Sequence, residues 1–231
     1  MPIKHDEAQK MIACLYSGGK DSTMALHKAA ESGDLAELLI TMVPENDYSY
    51  MFHKPNVKFT AMQAEAMGIR HVFASTPGEK EEELGDLEAA LKNQGITKLI
   101  TGATASEYQK SRIAAICDRL SITMVSPLWK IEPISELEEL ASKYDAIITR
   151  VAAEGFGAEM LGERIDANMI AKLIKLNERY GTHLLFEGGE AESFVLDAPL
   201  FSKRIVVDEA ERRISGSAGD YVIKKAHLAP K

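Results

Sequence analysis

Apolar and polar positions follow two alternating periods along the first 125 residues. Short apolar runs at residues 11–16, 38–43, 69–74, 98–102 and 122–125 predict strands. The segments between them carry apolar residues at helical spacing. Residues 23–32 open the first helix. Phe59, Met62 and Ala66 share one face of the next, Leu84, Leu87 and Leu91 of a third, and Ile113, Ile116 and Leu120 of a fourth. Gly33, Gly68, Gly95 and Gly181 stand where helices are expected to end in a left-handed cap. A βαβα series with short links implies a parallel sheet covered on both faces. Ligands of such sheets bind beyond the carboxyl ends of the strands.

The pattern changes after Pro127-Leu128-Trp129. A short helix is expected at 134–144 and an apolar run follows at 146–151. A longer helix then carries Leu161, Ile165, Met169, Leu173 and Leu176 in one stripe, with Asp166 as the cap of its main part. Beyond Glu192 the β-like stretches are short, at 204–207, 212–215 and 221–225. The expected architecture is therefore α/β. A parallel-sheet, Rossmann-like first domain (residues 1–130) precedes a smaller α+β domain (residues 131–231). No flexible linker separates them, so tight packing is expected.

Composition narrows the class. A chain of 231 residues with 45% hydrophobic content can bury a substantial core. No apolar stretch approaches the ~20 residues of a membrane span. The first residues, Met1 to Glu7, show no signal-peptide core. Two separated cysteines, Cys14 and Cys117, give no zinc or redox spacing. A cytoplasmic protein with no membrane partner is expected. The net charge of −8 disfavours direct nucleic-acid binding and suits a cationic partner better.

The chemistry begins at Ser17-Gly18-Gly19-Lys20-Asp21-Ser22, between the first strand and the first helix. Glycines there let backbone N–H groups turn toward an anion, and the helix dipole adds positive potential. The spacing is neither the Walker pattern nor the dinucleotide fingerprint. The string resembles the PP-loop of ATP pyrophosphatases, which cleave ATP to AMP and pyrophosphate. Lys20 either points inward and adds charge or is solvated. Asp21 either caps the helix or helps place Mg²⁺.

Three further strings extend the resemblance: residues 51–56, with His53 and Asn56; residues 101–112; and Glu187-Gly188-Gly189-Glu190-Ala191-Glu192-Ser193, which runs on to Asp197-Ala198-Pro199-Leu200-Phe201. Together with Pro127-Leu128-Trp129 they resemble the diphthine–ammonia ligases, also described as N-type ATP pyrophosphatases. Ala191 and Ser193 depart from the tyrosine and threonine common in that family, and the acidic groups are kept. The resemblance implies a HUP-type ATP-binding domain and ATP with Mg²⁺. It implies adenylation of the diphthine carboxylate on translation elongation factor 2, then displacement of AMP by ammonium to give diphthamide.

On that resemblance Ser17, Gly18, Gly19, Lys20, Asp21 and Ser22 hold the phosphates. Gly102 lets the nucleotide approach or is a plain turn glycine. Met42 and Val43 flank adenine or belong to the core. Arg112 bridges phosphate or substrate carboxylate, or makes a surface ion pair. Glu190 or Glu192 binds ammonium or takes its proton. His53, Asn56, Tyr108, Gln109, Glu187, Gly188 and Gly189 contact substrate. Tyr48, Tyr50, Tyr108 and Trp129 are candidates for the quaternary ammonium group of diphthine. Two rival readings are another PP-loop enzyme, such as a tRNA-modifying one, and a non-catalytic ATP sensor. A homodimer is left open beside a monomer.

Overall fold

The computed structural model describes residues 11–44, 56–77 and 82–231. The first sheet is built from β1 (Met11–Leu15), β2 (Leu38–Pro44), β3 (Arg70–Thr76), β4 (Ile96–Ile100) and β5 (Thr123–Val125). All pairs are parallel, in the order β3-β2-β1-β4-β5. The helices α1 (Lys20–Glu31), α2 (Thr60–Met67), α3 (Glu82–Leu91) and α4 (Glu107–Leu120) make the crossovers. Alternation along the strands divides the core. Ala13, Leu38, Ile40 and Leu99 face Leu87 and Ile116 on one side of the sheet. Cys14, Leu39 and Ile100 face the other. Both cysteines are buried free thiols, and burial pushes the Cys117 thiol up to about 11.

The second sheet is antiparallel. After α5 (Pro133–Lys143) come β6 (Asp145–Val151), α6 (Ala167–Tyr180), β7 (Ala191–Asp197), β8 (Lys203–Ser215) and β9 (Ala218–Pro230), in the order β7-β6-β9-β8. One hydrophobic cluster includes Met24 and Ala25 of α1 together with Ile148, Leu173, Phe194 and Val195. The two sheets therefore share a core. Each large apolar side chain of that core, fully buried, contributes about 1.5–3 kcal/mol.

The structure differs from the pattern reading in three places. The stretches at 204–207, 212–215 and 221–225 belong to two 13-residue strands, β8 and β9, of one long hairpin. Leu161 and Ile165 precede α6 rather than extend its stripe. Ile165 donates its N–H to the Ala146 carbonyl, and Arg164 bridges to Ile147. Asp166 is the N-cap, its carboxylate accepting from the Met169 N–H at 2.9 Å. Gly95 lies four residues beyond α3 in a left-handed turn, whereas Gly68 and Gly181 are caps as expected. Among the described residues no helix is long and apolar enough to cross a membrane.

Candidate active site

The strand order reverses between β1 and β4, and a cleft of about 490 Å³ opens at their carboxyl ends. The loop after β1 forms one wall. Gly18 adopts φ +80°, and a Cβ there would meet Gln63 Oε1 at 2.5 Å. Gly19 is the N-cap of α1, with no side-chain capping bond among the described residues. Ser17 Oγ lies 3.1 Å from Ser22 Oγ. The first turn of α1 thus faces the cleft with no side chain hydrogen-bonded over its N-cap, as an anion cradle requires, and its one carboxylate, Asp21, is engaged by Lys20. Asp21 is helical, so the capping role expected for it is corrected.

Strand β7 of the second sheet backs this loop. Ser193 Oγ accepts from the Lys20 N–H at 3.0 Å, and the Val195 N–H donates to the Gly18 carbonyl at 3.0 Å. Gln63, wholly buried on α2, donates to the Gly18 carbonyl at 3.0 Å and the Val195 carbonyl at 2.7 Å. The acidic string and the phosphate loop are therefore one construction. Glu192 and Ser193 both lie in β7.

Lys20 is 1% exposed, which settles its direction: inward. Its ammonium contacts Asp21 Oδ1 at 2.5 Å, donates to the Leu185 carbonyl at 2.8 Å and lies 5.2 Å from the Phe186 ring centroid. Phe186 has φ +69°, a strained value for a side chain of its size. Glu136, from the first turn of α5, is buried behind this knot. Burial, then the neighbouring Asp21 charge, push its carboxyl up to about 8. Nothing in the local sequence marks Glu136, because a glutamate near a helix start is ordinarily solvated.

The remaining residues divide clearly. Ser17, Gly19, Lys20, Asp21, Ser22, Met42, Gly102, Tyr108, Glu187, Gly188, Gly189 and Glu192 line the cleft. Gly102 is pressed against protein backbone: a Cβ would meet the Ser22 nitrogen at 2.7 Å. Glu187 accepts from the Thr104 hydroxyl. Glu190 folds back, its carboxylate accepting from the His183 N–H at 2.6 Å and the Gly188 N–H at 2.9 Å. It closes the loop from beneath and is not among the described residues lining the cleft. Asn56 is likewise buried away from the cleft. It donates to the Tyr221 carbonyl and accepts from the Ile223 N–H, pinning its loop to β9. The substrate contact expected of Asn56 is corrected on that ground.

Arg112 stacks its guanidinium 3.7 Å from the Tyr108 ring centroid, outside the cleft lining. The Trp129 ring has Lys110 at 3.6 Å and Lys130 at 5.8 Å. Both aromatics thus already carry protein cations, which opposes their use as a cage for another. His53, Tyr48 and Tyr50 lie outside the described residues, as does the side chain of Gln109. Among the described residues no group of three or more His, Cys, Asp or Glu could hold a metal ion.

The profile described as the diphthamide synthase N-terminal domain matches residues 10–124, and that of the diphthamide synthase C-terminal domain matches 132–229. A Homo sapiens protein named diphthine–ammonia ligase is 33% identical over 224 residues, covering 87% of this chain and 84% of that protein. The Danio rerio protein of the same name is 32% identical over 223 residues, covering 87% of each. The Schizosaccharomyces pombe relative, also so named, is 31% identical and covers 94% of this chain but 39% of its own length. A solved structure described as a predicted subunit of tRNA methyltransferase, from Methanocaldococcus jannaschii, aligns at TM-score 0.46 with 19% identity over 82% of this chain and 98% of that one, too loosely to carry an argument. With both profiles matched in chain order, the chain belongs to the diphthamide synthase family of carbon–nitrogen ligases.

Proposed function

We propose that this ligase amidates the carboxylate of diphthine on translation elongation factor 2. ATP would activate the carboxylate as an acyl-adenylate, and ammonium would then displace AMP, leaving diphthamide, AMP and pyrophosphate. The supporting observation is the joining of the phosphate loop to β7 through Ser193 and Val195, which puts Glu192 and the loop in one cleft. A carboxylate oxygen cannot leave by itself; adenylation makes it a good leaving group. The enzyme must therefore hold pyrophosphate and stabilise charge at the α-phosphate. Backbone N–H groups at Gly19 and the start of α1, with the Ser17 and Ser22 hydroxyls, supply that field. Met42 and Gly102 flank the nucleotide on this reading. Tyr108, Glu187, Gly188 and Gly189 form the substrate side.

Glu192 takes the ammonium role and Glu190 a structural one, because only Glu192 lines the cleft. Arg112 acts by holding Tyr108. The cleft fits a metal carried in by phosphates rather than a protein-built metal site, since Asp21 is the only phosphate-loop carboxylate and Lys20 engages it. Mg²⁺ so bound would neutralise phosphate charge. The division near residue 130 and the cytoplasmic location belong to the same proposal.

The test is product analysis with labelled ATP, Mg²⁺, ammonium and elongation factor 2 carrying diphthine, each omitted in turn. AMP and pyrophosphate that depend on the diphthine protein, with ammonium incorporated, support the reading. ATP bound but unspent would indicate a sensor. AMP formed only with another acceptor would discard the substrate.

A further inference from the structure

β6 is apolar at its centre except where it meets the cleft. Ala146, Ile147, Ile148 and Val151 sit in the shared core. Thr149 is only 3% exposed and lines the cleft. The β6–β7 register shifts between Ile148, which faces Ser193, and Arg150, which faces Glu192. Thr149 therefore occupies an irregularity of the ladder, the kind of position that re-aims a side chain. Its hydroxyl makes no hydrogen bond to any described residue. The hydroxyl is not among the described polar atoms sealed away without a partner, so it opens into the cleft, where a ligand can take its hydrogen bond.

Glu192 lines the same cleft beside it. Arg150 Nε lies 3.6 Å from Glu192 Oε1, and Arg150 Nη1 donates to Asp220 Oδ1 at 2.8 Å. Asp220 thus steadies the guanidinium, and the guanidinium steadies the carboxylate. Resting on the ligase reading above, we propose that Thr149 and Glu192 form the ammonium subsite, with Arg150 and Asp220 as positioning residues.

The chemistry suits the pair. Ammonium has only N–H donors, and a hydroxyl oxygen and a carboxylate both accept. One proton passes from ammonium to Glu192, and the freed lone pair attacks the acyl carbon. A C–N bond forms as the C–O bond to the adenylate breaks, its electron pair leaving on the AMP phosphate. That phosphate takes the surplus proton from nitrogen, and Glu192 returns its own to solvent. Thr149 holds the nitrogen throughout, so its loss weakens ammonium binding rather than nucleotide binding.

The experiment is steady-state AMP formation with diphthine-bearing elongation factor 2, titrating ammonium and ATP separately. Wild-type enzyme is assayed first; AMP independent of diphthine or ammonium would end the ligase reading itself. With that activity in hand, Thr149→Val should raise KM for ammonium about tenfold and KM for ATP less than about twofold. Thr149→Ser, which keeps the hydroxyl, should restore the ammonium KM. Asp220→Asn, at a partly exposed edge, should raise it in the same selective way and serves if the valine variant does not fold. An unchanged ammonium KM in the valine or asparagine variant, an equal rise for both substrates, or no rescue by serine would overturn the subsite.

Discussion

Glutamine in place of Glu136 should flatten the fall in stability between mildly acidic and mildly alkaline pH. Glu136 is 1% exposed, and no donor among the described residues reaches either carboxylate oxygen. Burial first, and the Asp21 carboxylate second, oppose its ionisation; the Lys20 ammonium partly offsets them. In the folded state the group therefore holds its proton up to about 8, against an ordinary 4.5. Below the ordinary value it is protonated folded and unfolded alike, and no stability is lost. As pH rises the unfolded chain releases the proton while the folded chain keeps it, so stability declines until the folded carboxyl itself ionises. At about 1.4 kcal/mol per pH unit the full gap sets an upper limit of about 5 kcal/mol. Urea unfolding of wild type and Glu136→Gln without nucleotide, at steps between about pH 5 and about pH 8, measures the difference directly. Titrating groups remote from Glu136 are common to both proteins and cancel in the comparison. Parallel pH profiles would refute a protonated Glu136.

Two substitutions separate framework from chemistry around the cleft. Gly102→Ala would drive a methyl to 2.7 Å from the Ser22 nitrogen and 2.8 Å from the Asp21 carbonyl carbon. The helix start must move, so a loss of about 1–3 kcal/mol in thermal unfolding and a raised KM for ATP are expected. Glu190→Gln replaces an acceptor of two N–H groups by one that keeps a single accepting oxygen. It should cost about 2 kcal/mol in urea unfolding and slow adenylation and amidation alike. Selective loss of amidation in Glu190→Gln would return the ammonium role to that residue.

Much of the first sheet was legible because its strands are short apolar runs punctuated by helical spacing. The phosphate loop was legible because its glycines and hydroxyls carry their purpose in their chemistry. The second sheet hid itself for physical reasons. β8 and β9 alternate charges along a largely exposed hairpin, with Glu209, Glu211, Arg212 and Arg213 on exposed positions of β8, so no apolar period marks their length. β7 begins at Ala191 directly after a glycine turn, so its first residues read as loop. Leu161 and Ile165 fall at helical spacing from Met169 by coincidence; the Asp166 cap marks where the helix can begin. Glu136, Thr149 and Gln63 matter through partners far away in sequence, which no local pattern reports.

Gln63 shows how far that non-local dependence goes, and it can be tested. Its amide orientation is fixed by its neighbours, since both groups in front of Nε2 are carbonyl oxygens and only the NH₂ side can face them. Its Oε1 is left buried without a partner among the described residues. That polar cost persists because the two donated bonds clamp the phosphate loop to β7. Gln63→Leu removes the clamp without adding charge, and a loss of about 1–3 kcal/mol is expected from the carbonyls left behind. Gln63→Glu keeps the shape, but at neutral pH it sets a carboxylate against two carbonyl oxygens in a fully buried place, so the loss must be larger. The order should narrow in acid, where the introduced carboxyl, once protonated, can again donate one bond. If urea unfolding at neutral pH finds the glutamate variant as stable as wild type, the clamp is not what joins the two sheets at the cleft.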